Sequence, residues 1–199
     1  MKIKIILVVI GVLISAHVNA QSKWGIEIKG GYNAMLDNTH FSSWGSGMTM
    51  GTGIIYQLKP GLKIGWDAKY NNYQYVGSDN HPFLVNCRVE GENSYSIDNS
   101  ILLRLHGNEE QFGLYFHTKI GVSYLYIGEK IMIDETTNEI IGIYENTGIN
   151  EIKPFGALGL GFNFSVSPRI KLKIESGYSI TFDAEQQYFP MNLIVHWKL

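Results

Sequence analysis

From Gly156 to Ile180 the chain reads GALGLGFNFSVSPRIKLKIESGYSI, and apolar residues recur at every second position. Leu158, Leu160, Phe162, Phe164 and Val166 share one face; Ala157, Gly159, Gly161, Asn163 and Ser165 share the other. Side chains alternate across a strand with a period of two, so this run predicts a strand with one greasy face. Ser167-Pro168-Arg169 turns the chain, and the return sets Ile170, Leu172, Ile174, Tyr178 and Ile180 against Lys171, Lys173, Glu175, Gly177 and Ser179. The unit is a hairpin whose one face is uncharged and whose other face is small or charged.

The same alternation recurs along the chain. Trp24–Asn33 opposes Trp24, Ile26, Ile28 and Tyr32 to Glu27, Lys29 and Gly31. Strands are predicted likewise over 47–57 and over 62–70, the latter with Lys63, Asp67 and Lys69 on its polar face. The runs 94–105 and 112–126 place Asp98 and Arg104, then His117 and Lys119, on theirs, with Asn99 interrupting an apolar face. The run 188–199 sets Met191, Leu193, Val195, Trp197 and Leu199 against Asn192, His196 and Lys198. Eight strands result, joined by long segments (34–46, 71–93, 128–150, 181–187) that alternate with short turns at Lys59-Pro60-Gly61, 106–111 and Ser167-Pro168-Arg169.

Two closed barrels suit this pattern. A lipocalin-like barrel would turn its apolar face inward; a transmembrane barrel would turn it to lipid. Aromatic residues cluster at strand ends on the apolar face (Trp24, Tyr32, Tyr56, Tyr70, Phe112, Tyr124, Tyr126, Tyr178, Trp197), where the two membrane interfaces would lie. The charged face is rich in glycine and serine, which suits a narrow lumen and not a water-facing surface. Long loops on one side and short turns on the other complete the pattern. The expected fold is therefore all-β: an eight-stranded antiparallel up-and-down transmembrane β-barrel.

Composition narrows the setting. Residues 1–20 carry Lys2 and Lys4, an apolar run from Ile5 to Ile14, and Val18-Asn19-Ala20 at a cleavage site, so they read as a signal peptide before a barrel domain at 21–199. Without Lys2 and Lys4, Lys+Arg falls from 16 to 14 against 18 acids, a mature charge of −4, which disfavours nucleic acid. Cys87 is the one cysteine, so no intramolecular disulfide can form.

The signal peptide, the alternating strands, the short turns and the final MNLIVHWKL strand resemble the small OmpA/OmpX-type barrels; the Gly-rich hairpin resembles the outer membrane protein β-barrel domain family, the PorT-like barrels. The chain ends on Leu199, where the usual assembly signal has Phe or Trp; Trp197 lies two residues back on the same face. The resemblance implies a monomer in the outer membrane, contact with its lipid, and recognition by the barrel-assembly machinery.

No residue pattern announces catalysis, a cofactor or a metal. Gly156, Gly159 and Gly161 do not match a nucleotide-binding GxGxxG between strand and helix. His117 and His196 lie among charges on the polar face and read as members of an ion network. That network is expected to comprise Glu27, Lys29, Lys63, Asp67, Lys69, Asp98, Arg104, His117, Lys119, Lys171, Lys173, Glu175, His196 and Lys198, plugging the lumen. His40 and Ser42 with Asp37 in the first loop are the only candidates for a rim-located lipid-modifying enzyme. In 128–150, Ile131 and Ile133, then Ile141 and Ile143, flank the polar tip Asp134–Asn138. They predict a two-stranded ribbon projecting outward, whose edge could dock an extended protein segment.

Overall fold

A computed structural model describes residues 23–36, 43–77, 86–107, 112–144, 147–182 and 186–199. Eleven strands form: β1 (Trp24–Met35), β2 (Gly47–Lys59), β3 (Leu62–Tyr73), β4 (Cys87–Gly91), β5 (Ser94–His106), β6 (Phe112–Ile127), β7 (Lys130–Asp134), β8 (Ile140–Ile143), β9 (Ile149–Ser165), β10 (Ile170–Thr181) and β11 (Gln186–Lys198). Eight of them close a barrel in the order β1-β11-β10-β9-β6-β5-β3-β2, every neighbour antiparallel and consecutive among the barrel strands. Closure comes from β1 pairing with β11, Gly25 opposite Lys198 through Met35 opposite Tyr188. Closing the sheet removes its edges.

Alternation sets the two faces. Outward positions are apolar and open: Ile28 is 66% exposed, Met48 73% and Ile120 72%. Inward positions are polar and buried, Glu27, Arg104 and Lys173 completely so. A water-soluble barrel would show the reverse. Asn99 is a polar interruption on the outer face, between Ala68 and Val122 on the neighbouring strands. Ile55, Leu102 and Ile194 are apolar interruptions inside. Aromatic side chains ring both ends: Trp24 packs on Tyr56 with ring centroids 4.8 Å apart near the short turns, and Tyr95 on Tyr126 at 5.1 Å near the other rim.

The turn between β2 and β3 shows the local chemistry. Proline presets its own φ at Pro60, and Gly61 takes φ +79°, a value that glycine reaches without strain. The opposite side departs from the sequence expectation twice. The connection from β10 to β11 spans only 182–185, because both strands extend further than their apolar alternation indicates. In the segment 128–150, β7 and β8 pair as the expected hairpin, Ile131 opposite Ile143, but they do not run on from the barrel as a two-stranded ribbon. The strand is interrupted at 128–129, and β7 becomes the centre of a separate sheet, β4-β7-β8. β4 comes from the segment read as irregular, with Cys87 opposite Asp134 and Gly91 opposite Lys130.

Candidate functional site

Four buried carboxylates from four strands organise the lumen: Glu27 on β1, Asp67 on β3, Asp98 on β5 and Glu175 on β10. Glu27 Oε1 accepts from Arg104 Nη1 at 2.5 Å and Lys173 Nζ at 2.6 Å, with His196 Nδ1 at 3.1 Å. Arg104 Nη2 reaches Glu175 Oε2 at 2.8 Å. Lys119 then joins Glu175 Oε1, at 3.0 Å, to Asp67 Oδ2, at 3.1 Å, and Lys29 donates to Asp67 Oδ1. The result is one continuous chain of ion pairs from wall to wall. Ions taken out of water must find partners of opposite sign, and this arrangement supplies them.

Asp98 centres a second cluster towards the long-loop end. It accepts from Ser123 Oγ, Asn71 Nδ2 and Tyr188 OH, each at 2.7 Å. Lys69 lies 3.6 Å from the same carboxylate, donates to Tyr188 OH at 3.2 Å and sits 4.6 Å from the centre of that ring. Glycines give the large side chains room. A Cβ at Gly161 would stand 2.3 Å from Tyr115 Cζ, and one at Gly159 would stand 2.6 Å from His117 Nε2. These glycines answer to packing and not to a nucleotide phosphate.

The two mouths differ. The long-loop mouth is filled by Trp44, Tyr73, Leu125 and Ile127, with Met35, Tyr75 and Ile149 against them. Trp44 Nε1 donates to the Glu92 carbonyl at 2.8 Å. Lys130, at the start of β7, places its ammonium 5.1 Å from the Trp44 ring and 5.0 Å from Tyr144, and donates to Ser43 Oγ at 3.1 Å. Burial against these rings lowers the Lys130 pKa. The small outer sheet is thus clamped onto an apolar plug. The short-turn mouth is polar: Lys63, His106 and Asn163 are buried there, and Lys171 and Lys198 are half-buried.

Each residue expected in the lumen is accounted for. Glu27, Lys29, Asp67, Lys69, Asp98, Arg104, Lys119, Lys173, Glu175 and His196 make the contacts above. His117 is buried with Nε2 3.7 Å from Glu175, beyond hydrogen-bond reach. Lys63 pairs strand to strand with Arg104, whereas Lys171 and Lys198 stand at the mouth rather than in the deep chain. Of the ribbon residues, Ile131 and Ile133 lie on central β7 and offer no edge, because β4 covers one side; Ile141 and Ile143 lie on the outer strand β8. His40, Ser42 and Asp37 fall outside the described residues. Among the described residues no three or more His, Cys, Asp or Glu side chains gather as a metal site. The sequence reading passed over Tyr188, which keeps the phase of Asn192 and His196 and therefore points inward, and Trp44, which lies in a loop without periodicity.

No family model matches the sequence, and no curated protein is similar to it. Solved structures are similar in fold. Neisserial surface protein A (NspA) matches with a TM-score of 0.54 at 11% identity over 91% of this chain and 100% of that one. Ail, the attachment invasion locus protein of Yersinia pestis, matches with a TM-score of 0.51 at 12% identity over 89% of this chain and 99% of that one. The outer membrane enzyme PagL gives 0.45 at 11% identity over 87% and 99%, too distant a likeness to carry an argument. An apolar exterior, an ion-paired interior and these likenesses converge: the chain has the fold of the small eight-stranded outer-membrane β-barrels.

Proposed function

We propose that this chain is a non-enzymatic integral protein of the outer membrane, a monomer with its short turns in the periplasm and its β4-β7-β8 sheet outside. The observation that carries the reading is the inversion of faces: open apolar side chains outside, buried ion pairs inside. Lipid satisfies the first, and only a closed lumen satisfies the second. Cell fractionation followed by gel mobility with and without heating tests it. The expected outcome is a membrane-fraction protein whose mobility shifts on boiling; recovery in a soluble fraction overturns it. His40→Ala and Ser42→Ala variants should insert normally and leave envelope lipids unchanged.

The partner we propose is an extended protein segment added to the free edge of β8. Support comes from its exposed isoleucines, Ile140 at 62%, Ile141 at 53% and Ile143 at 62%, on an outer strand that no further strand flanks among the described residues. Replacing Ile143, whose N–H faces away from β7 because its neighbour Tyr144 is the one that donates to the Lys130 carbonyl at 2.9 Å, by proline should abolish capture of such a segment while leaving insertion intact. Equal capture by the variant would overturn the proposal.

A further inference from the structure

Charge is spread unevenly between the two ends of this molecule. The segments 34–46, 71–93, 128–153 and 181–187, on the long-loop side, hold 12 of the chain's 18 Asp and Glu but only three Lys or Arg: Arg88, Lys130 and Lys153. All three cations are engaged within the molecule. Arg88 Nε lies 2.9 Å from Glu90 Oε1, and its Nη2 donates to Asn138 Oδ1 at 2.7 Å. Lys153 Nζ lies 3.4 Å from Glu151 Oε2, and Lys130 sits over the Trp44 and Tyr144 rings. The acidic excess belongs to the sequence and persists wherever the loop side chains point. An approaching chain therefore meets a negative potential on this side.

The outer edge of β8 stands in that field. The strand itself, Ile140–Ile143, carries no charge. Exposed Glu135 and Glu139 lie in the turn that leads into it, and Glu145 follows it directly after Tyr144 in the sequence. The Tyr144 N–H donates to the Lys130 carbonyl at 2.9 Å, so the backbone of Ile143 turns the other way, out from the sheet. Main-chain bonding at such an edge accepts almost any extended segment; the choice among segments falls to the side chains around it. Here those are aliphatic along the strand and acidic at both its ends.

We propose that the segment added to β8 is cationic: an extended stretch with aliphatic side chains at its centre and Lys or Arg at both ends. This rests on the β8 reading above and names the charge of its partner. A second copy of this chain is the poorer occupant, because its β8 would bring the same flanking acids towards Glu139 and Glu145. Like charges placed together across an interface cost affinity, whereas opposite charges steer the encounter.

The probes are short synthetic peptides that share one alternating Val/Thr core and are flanked at each end by Lys, by Glu or by Gln. Each carries a fluorophore and is titrated with the folded barrel in neutral detergent. Anisotropy should saturate for the Lys-flanked peptide, and the Glu-flanked one should bind about tenfold more weakly or worse. Added salt should shrink that difference. Glu135→Gln/Glu139→Gln should weaken the Lys-flanked peptide by about threefold and leave the Gln-flanked one unchanged. Ile143→Pro should abolish binding of both. Glu109→Gln/Glu110→Gln, in the short turn at the other end of the barrel, should change nothing. Heat-modifiable mobility verifies that each variant is folded. Equal binding of the Lys- and Glu-flanked peptides, lost in Ile143→Pro, would overturn the cationic partner and leave the β8 edge standing. Binding of the Lys-flanked peptide that survives Ile143→Pro would overturn the edge, and this inference with it. A loss in the Glu109/Glu110 variant as large as in the Glu135/Glu139 variant, or no saturable binding by any of the peptides, would also overturn it.

Discussion

Arg104 joins two carboxylates that come from opposite ends of the chain, Glu27 and Glu175. Replacing it with methionine leaves both acids with fewer counter-charges in a buried site. Breaking a buried pair from one side costs about 3–5 kcal/mol. Arg104→Met should lower the urea midpoint of the folded barrel accordingly, and Arg104→Met/Glu175→Gln should recover part of the loss. Gly161 is limited by space instead. Alanine there meets the Tyr115 ring at 2.3–2.7 Å, so Gly161→Ala should cost about 1–3 kcal/mol, and a second change, Tyr115→Leu, should relieve the clash. At this scale the sequence was legible for identity and mute for partnership. Which side chains enter the lumen follows from phase, as for Arg104 and Glu27. That these two meet depends on the stagger between strands, which is set only when the barrel closes.

Among the elements, the β7–β8 turn has a local cause that sequence shows plainly. Asp134 accepts from the backbone N–H of Thr136 at 2.7 Å and Thr137 at 3.1 Å, and Asn138 takes φ +59° while its side-chain Oδ1 accepts from Arg88 Nη2 at 2.7 Å. Those amide bonds, Thr136 first, hold the Asp134 carboxyl below its usual 3.8. A depressed carboxyl stabilises the turn above its ordinary pKa, and that support is lost as pH falls through the depressed value. The Thr136 and Thr137 amide resonances should therefore titrate together with a midpoint below 3.8. Amides of β7 should exchange slowly at neutral pH; fast exchange across 131–143 would contradict the sheet. β4 was not legible, because five residues without a strong apolar face acquire strand geometry only by pairing with β7, far along the chain. In the barrel wall, Leu160→Arg on β9 should cost about 2–4 kcal/mol in lipid, and Ser165→Arg at the lumen rim less. Equal folding yields would contradict the facing.

For the molecule as a whole, the ion-pair chain crosses the lumen and, among the described residues, an apolar cluster fills its long-loop mouth. Purified protein in planar bilayers should show no steady, large conductance. The barrel itself was legible because lipid outside and charge inside impose one strict alternation on every strand. The plug was not. Trp44 sits in an irregular loop, and its companions Tyr73, Leu125 and Ile127 come from strand ends where the apolar phase reverses.

The seam between β1 and β11 has one more consequence. The Leu199 amide donates to the Trp24 carbonyl at 3.0 Å, so the start of the first strand and the end of the last are already adjacent. The barrel is a ring of hairpins in which no strand is first. A short linker from Leu199 to Trp24, with new ends cut at Gly61, should give a circular permutant that keeps every ladder and trades one seam for another. β2 and β3 would then close last. If that permutant refolds in detergent to the same heat-sensitive mobility, the order in which strands are made is no part of the fold's instructions.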